Sequence, residues 1–138
     1  MTSIFLLRHG DNIDGQVNGL GPKVDLGLSD VGRSQVEALR ARLGRSREIA
    51  AQTLYSSTLP RALETAHALA ETLGQAVVPE QNLEEWRSDD GNVNHEDFMA
   101  TWQGLSDRDR PYHRFVEGYE TAIEFSTRVQ SALHRIIK

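Results

Sequence analysis

The chain has 138 residues, a formal net charge of −5 and no cysteine, which predicts one domain able to build a core without disulfide staples. The missing cysteines exclude a disulfide framework, a thiol nucleophile and thiolate metal sites, and the acidic balance argues against a general nucleic-acid binder. No apolar run approaches the roughly 20 residues that span a bilayer, and no basic leader precedes a long apolar segment, so a cytoplasmic protein without membrane partners is expected.

In chain order, the apolar run Ile4-Phe5-Leu6-Leu7 breaks abruptly into Arg8-His9-Gly10. A short apolar run bounded by a turn signal predicts a strand buried on both faces, as in parallel α/β sheets. Ligands of such sheets sit at the carboxyl ends of strands, where Arg8 and His9 would stand. Residues 11–27 are rich in Gly, Asp and Asn, with Gly21-Pro22 as punctuation, and predict a loop over that end. Ser29 reads as the N-cap of a helix with Val31, Val36, Leu39 and Leu43 on its apolar stripe and Gly44 as its stop.

Residues 53–57 predict a second strand, and Pro60 opens a helix over residues 61–73 that Gly74 closes. Its stripe is Ala62, Thr65, Ala66, Leu69 and Leu73. Arg61 would stand beside the unpaired N–H groups of that helix, a combination that attracts anions. Residues 76–79 predict a third strand, and strands alternating with helices indicate βαβ units. Residues 83–114 hold both tryptophans but only weak periodicity, and read as short helices and loops covering the site. Helical period returns over residues 121–137, with Ile123 or Phe125, Val129, Leu133, and Ile136 or Ile137 inward.

The histidines are His9, His67, His95, His113 and His134, without the close pairings of zinc sites, so no metal or other cofactor is expected. The last four read as surface or packing residues, and Trp86 and Trp102 as core.

Several segments together resemble a known family. Leu7-Arg8-His9-Gly10, Leu28-Ser29-Asp30-Val31-Gly32 with Gln35, and Ser57-Thr58-Leu59-Pro60-Arg61-Ala62 with Glu64-Thr65-Ala66 follow one another in the order of the histidine phosphatase superfamily, also called phosphoglycerate mutase-like. Leu83-Glu84-Glu85 and Gly118-Tyr119-Glu120-Thr121 continue the match. The resemblance implies a three-layer α/β/α sandwich with a mostly parallel central sheet, over a single domain spanning residues 1–138.

Phosphoryl transfer is catalysed mainly by positioning and electrostatic stabilisation. Arginine suits it, because a planar, permanently charged fork donates parallel bonds to phosphate. A histidine between two arginines can attack phosphorus and split one hard step into two. The resemblance implies the same roles: His9 as nucleophile, Arg8 and Arg61 as phosphate ligands, and Glu85 as general acid on the leaving oxygen. Gly10 allows close approach to the ligand. His9 must be neutral to attack, and neighbouring arginines disfavour a further positive charge. Glu85 must hold a proton in order to donate it.

The sequence also departs from the family pattern. Where the family often carries an acidic or amide residue, then Thr or Ser, then Asn three positions on, this chain has Asp11, Asn12 and Gly15. Asn12 can still donate to phosphate; Gly15 cannot replace an amide side chain, a role that would fall to Asn18. The family also places a second histidine, in an apolar strand followed by His-Gly, after the helix equivalent to residues 121–137. The sequence ends at Lys138, so an incomplete version of a longer protein is expected, short of one transition-state stabiliser. An uncovered sheet edge would favour homo-oligomers.

The leading functional expectation is a metal-independent phosphatase acting through phospho-His9 on a small phosphorylated metabolite. A phosphoglycerate mutase-type phosphotransferase, a non-catalytic phospholigand-binding module and a protein-phosphohistidine phosphatase are the alternatives.

Overall fold

Helix capping builds the first part of the structure. A computed structural model describes residues 3–16 and 23–138, and Ser29 caps helix α1 (Asp30–Ser46) by accepting from the Gly32 N–H. The helix continues through the expected stop at Gly44 and ends at Arg47, in the left-handed region with φ 49°, whose N–H bonds the Leu43 carbonyl. Pro60 opens helix α2 (Pro60–Leu73), and Gly74 closes it at φ 66°, as the turn chemistry predicts.

Two short strands, β3 (Leu54–Ser56) and β4 (Val77–Pro79), flank α2 in sequence and pair in parallel, with Tyr55 opposite Val78. This β–α–β arrangement makes the chain α/β. A second two-stranded sheet joins β1 (Asn12–Gln16) and β2 (Lys23–Leu28). The expected loop over residues 11–27 therefore carries strands at both ends, because backbone pairing does not require apolar alternation. The Gly21-Pro22 punctuation lies outside the described residues.

The expected strand over residues 4–10 does not form: residues 3–11 carry no ladder, and Ile4, Phe5, Leu6 and Leu7 are exposed, Leu6 by 86%. A run suited to burial on both faces becomes a strand only where neighbours pair its backbone and cover it.

The chain divides into two compact units, one formed by the described residues up to Gly15 with Asp25–Glu84, the other centred on Glu85–Lys138. The first unit is held by Leu28, Val36, Leu43 and Leu69, with Leu39, Ile49 and Leu73 packed against them. Val31 is a correction to the predicted stripe, being 60% exposed. It precedes Val36 by five residues, a rotation of about 500° that leaves it roughly 140° off the buried face.

In the second unit, helix α3 (His95–Gly104) starts at Asn94 and helix α4 (Ala122–Ile136) at Thr121, where Thr121 and Glu124 form a reciprocal capping box. Trp86 meets Phe98, Trp102 and Phe115 edge-on at 5.9, 5.5 and 6.1 Å, and its Nε1–H donates to the Glu120 carbonyl at 3.0 Å. Both tryptophans thus serve packing. Phe125 stacks on Trp86 while Ile123 is exposed, and Ile136 is more covered than Ile137. Among the described residues no helix is long and apolar enough to cross a membrane.

Candidate active site

The bend at Gly10-Asp11 is tied down by main-chain bonds to α1 and α2. The Gly10 N–H donates to Thr65 Oγ1 at 3.2 Å, and that hydroxyl donates to the Arg61 carbonyl at 2.8 Å. The Asp11 N–H reaches Gln35 Oε1 at 2.8 Å, while the Asp11 carbonyl accepts from the Ser29 N–H at 3.0 Å and its carboxylate from the Ser29 hydroxyl. Close approach dictates the glycines: a Cβ at Gly10 would lie 2.7 Å from the Gly32 carbonyl oxygen, and one at Gly32 only 1.9 Å from that of Asp11.

This anchoring delivers His9, half-buried, to the first turn of α2. Its Nδ1 lies 2.7 Å from the Gly10 carbonyl oxygen, and its Nε2 lies 3.1 Å from Arg61 Nε. A carbonyl only accepts and a guanidinium only donates. The two partners therefore select the neutral tautomer with the proton on Nδ1 and the lone pair on Nε2. Nε2 is the ring nitrogen able to act as a nucleophile.

Arg61 is itself held. Its Nη1 lies 2.9 Å from Asp25 Oδ2, in an ion pair whose side chains are 11% and 8% exposed, and its N–H bonds the same oxygen at 3.3 Å. Asp25 Oδ1 accepts from the Gly27 N–H at 2.8 Å, closing an Asx turn over Gly27, whose φ is 87°. Helix α2 has no side-chain cap of its own at Leu59. Asp25 supplies the negative charge that the helix N-terminus and Arg61 together attract.

The family model described as the Histidine phosphatase superfamily (branch 1) matches residues 4–138. The chain belongs to the histidine phosphatase superfamily. Its similar relatives include phosphoglycerate mutase-like protein 4 of Arabidopsis thaliana, 29% identical over 96% of this chain and 59% of that protein. Glucosyl-3-phosphoglycerate phosphatase of Mycolicibacterium vanbaalenii is 31% identical over 75% of this chain and 40% of the relative. A solved mycobacterial glucosyl-3-phosphoglycerate phosphatase, in complex with inorganic phosphate, superposes with a TM-score of 0.67 at 26% identity, over 94% of this chain and 59% of that one. The chain thus spans 59% or less of the length of these proteins, and its relatives in the superfamily include phosphatases and mutases.

Of the residues marked by the histidine phosphatase motifs, the structure joins His9, Gly10 and Arg61. Arg8 is exposed and Asn12 half-buried at the start of β1. Glu85 is exposed at the first position of the second unit, where its carbonyl accepts from Arg128 Nη2 at 3.4 Å. Its acidic neighbours have local tasks: Glu84 accepts from the Thr58 hydroxyl, and Glu80 from the N–H and the side-chain amide of Asn82. Asn18 lies outside the described residues.

The motifs did not single out Asp25 or the task of Thr65. The Asp25-Leu26-Gly27 spacing is an Asx-turn signal, but its second partner, Arg61, is 36 residues away. The described residues contain no group of three or more His, Asp or Glu able to hold a metal ion.

Proposed function

We propose that the chain is a phosphomonoester hydrolase working through a phosphohistidine at His9 on a small phosphorylated metabolite, without a metal. The observation that carries this reading is the His9 ring, with Nδ1–H committed to the Gly10 carbonyl and the Nε2 lone pair facing Arg61 at the start of α2. Nε2 bonds to phosphorus as the ester P–O bond breaks, and the leaving oxygen takes a proton from Glu85. Water then attacks phosphorus, passing a proton back to Glu85, and the N–P bond breaks to return His9 and inorganic phosphate. Arg8, Arg61 and Asn12 bind the phosphoryl oxygens, and Gly10 permits their close approach. Glu85 holds its role through the Leu83-Glu84-Glu85 motif.

The match across residues 4–138 supports one histidine-phosphatase domain. Parallel β3–β4 pairing around α2 is consistent with a three-layer sandwich on a mostly parallel sheet. A cysteine-free, acidic chain suits a cytoplasmic protein with no nucleic-acid or membrane partner. The exposed Ile4–Leu7 stretch favours self-association.

Release of phosphate from an aryl phosphate tests the reading. The unsubstituted chain hydrolyses the ester and His9→Ala does not; turnover that survives His9→Ala refutes the assignment. The mutase-like relative, aligned over 96% of this chain, favours a second reading, in which the phosphoryl group returns to another hydroxyl. Isomerisation without phosphate release in that assay selects it.

A further inference from the structure

Asp25 is a carboxylate only 8% exposed that takes no part in the chemical steps at His9. Three donors converge on it: the Gly27 N–H on Oδ1 at 2.8 Å, and the Arg61 N–H and Nη1 on Oδ2 at 3.3 and 2.9 Å. Both ends of Arg61, main chain and guanidinium, are thereby fastened to one oxygen. The guanidinium Nε–H meanwhile covers His9 Nε2 at 3.1 Å, the lone pair that must reach phosphorus. Phosphorus can approach only when that N–H leaves, and a phosphate oxygen is a stronger acceptor for it than an imidazole.

We propose that Asp25 is the positioning residue for Arg61, holding Nη1 as a pivot while Nε–H passes from His9 to a phosphate oxygen. This rests on the phosphatase reading above. A carboxylate that merely occupied the anion site would have to withdraw as phosphate arrived. Asp25 is built to stay, because its other oxygen closes the Asx turn over Gly27 within its own strand. Restricting Arg61 before the ligand arrives is preorganisation, which lowers the entropy lost on binding.

Nuclear magnetic resonance of the isotopically labelled 138-residue chain, titrated with inorganic phosphate at about pH 8, where imidazoles are neutral, tests this. Phosphate is expected to shift His9 Nε2 and Arg61 Nε together while the Asp25 carboxyl carbon holds its position. Asp25→Asn is expected to weaken phosphate binding about tenfold, the loss of one charge-assisted bond, and to uncouple the Arg61 Nε shift from that of His9 Nε2. Phosphate affinity unchanged or tighter in Asp25→Asn overturns the pivot, as does an Asp25 signal that moves with phosphate. Should Asp25→Asn fail to fold, the titration of the unsubstituted chain decides alone: unmoved His9 and Arg61 signals overturn the proposal. Ester hydrolysis is scored separately, so coupled signal changes without turnover would remove the phosphatase reading and leave the pivot standing.

Discussion

Alanine at Gly32 would place a methyl carbon 1.9 Å from the Asp11 carbonyl oxygen, 2.8 Å from its carbon and 2.9 Å from its nitrogen. All three are main-chain atoms, so relief requires moving either the bend that carries His9 or the first turn of α1. Overpacking of this kind costs about 1–3 kcal/mol, against a helix-propensity gain of at most about 1 kcal/mol. Gly44 lies in the same helix, and an added methyl there meets only Thr72 Cγ2, at the ordinary distance of 3.7 Å. Gly44→Ala is therefore expected to stabilise the chain by about 0.5–1 kcal/mol.

The two substitutions are chemically identical and differ only in what the methyl meets. Their stabilities should differ by about 2 kcal/mol, roughly 30-fold in the folding equilibrium, with Gly32→Ala the weaker. Urea unfolding followed by far-ultraviolet circular dichroism measures both midpoints. Inorganic phosphate binding should fall in Gly32→Ala alone, because the displaced bend carries His9. Equal stability of the two variants would refute the claim that main-chain contact between α1 and the bend fixes the site.

Leu69, 1% exposed and central to the first unit's core, should cost about 3 kcal/mol when cut to alanine, read as a lower urea midpoint; a loss under about 1 kcal/mol would show that the site can collapse around it. In the second unit Glu120 accepts from Arg128 Nε and Nη2 at 2.6 and 2.7 Å, and these bonds, with the Arg87 N–H, hold its carboxyl below the usual value of 4.5. A depressed folded-state value means stability present above the unfolded value and lost as pH falls through the folded one. Glu120→Gln should thus weaken the chain at neutral pH and flatten the loss of stability below about pH 4.5; an acid limb as steep as that of the unsubstituted chain would contradict the pairing.

What the sequence made legible was local. Ser29, Pro60 and Gly74 each cap or open a helix as predicted, because a cap depends on the few residues around it. The stripe of α2 was readable for the same reason, with Thr65, Ala66 and Leu69 buried together. Gly44 misled because the left-handed residue that closes this helix is Arg47, three positions further on. Asp25 stayed hidden because its value lies in a partner on another element, and an acidic residue in a Gly-rich stretch reads as solvated loop.

His9 and Arg61 were legible as chemistry, but their arrangement was not. A cation at a helix N-terminus invites an anion, and sequence reasoning assigned that place to a ligand. In the folded chain Asp25 balances the same charge, so the attraction left for an anion comes from an arginine already paired, with its Nε–H resting on His9 Nε2. Affinity for phosphate should then owe less to net charge than to geometry prepared in advance. The placement of His9 does not need residues 4–7 to form a strand, since Gly10 and Asp11 are fastened directly to Thr65, Gln35 and Ser29. The position of the His9 ring is thus set by the packing of α1 against α2.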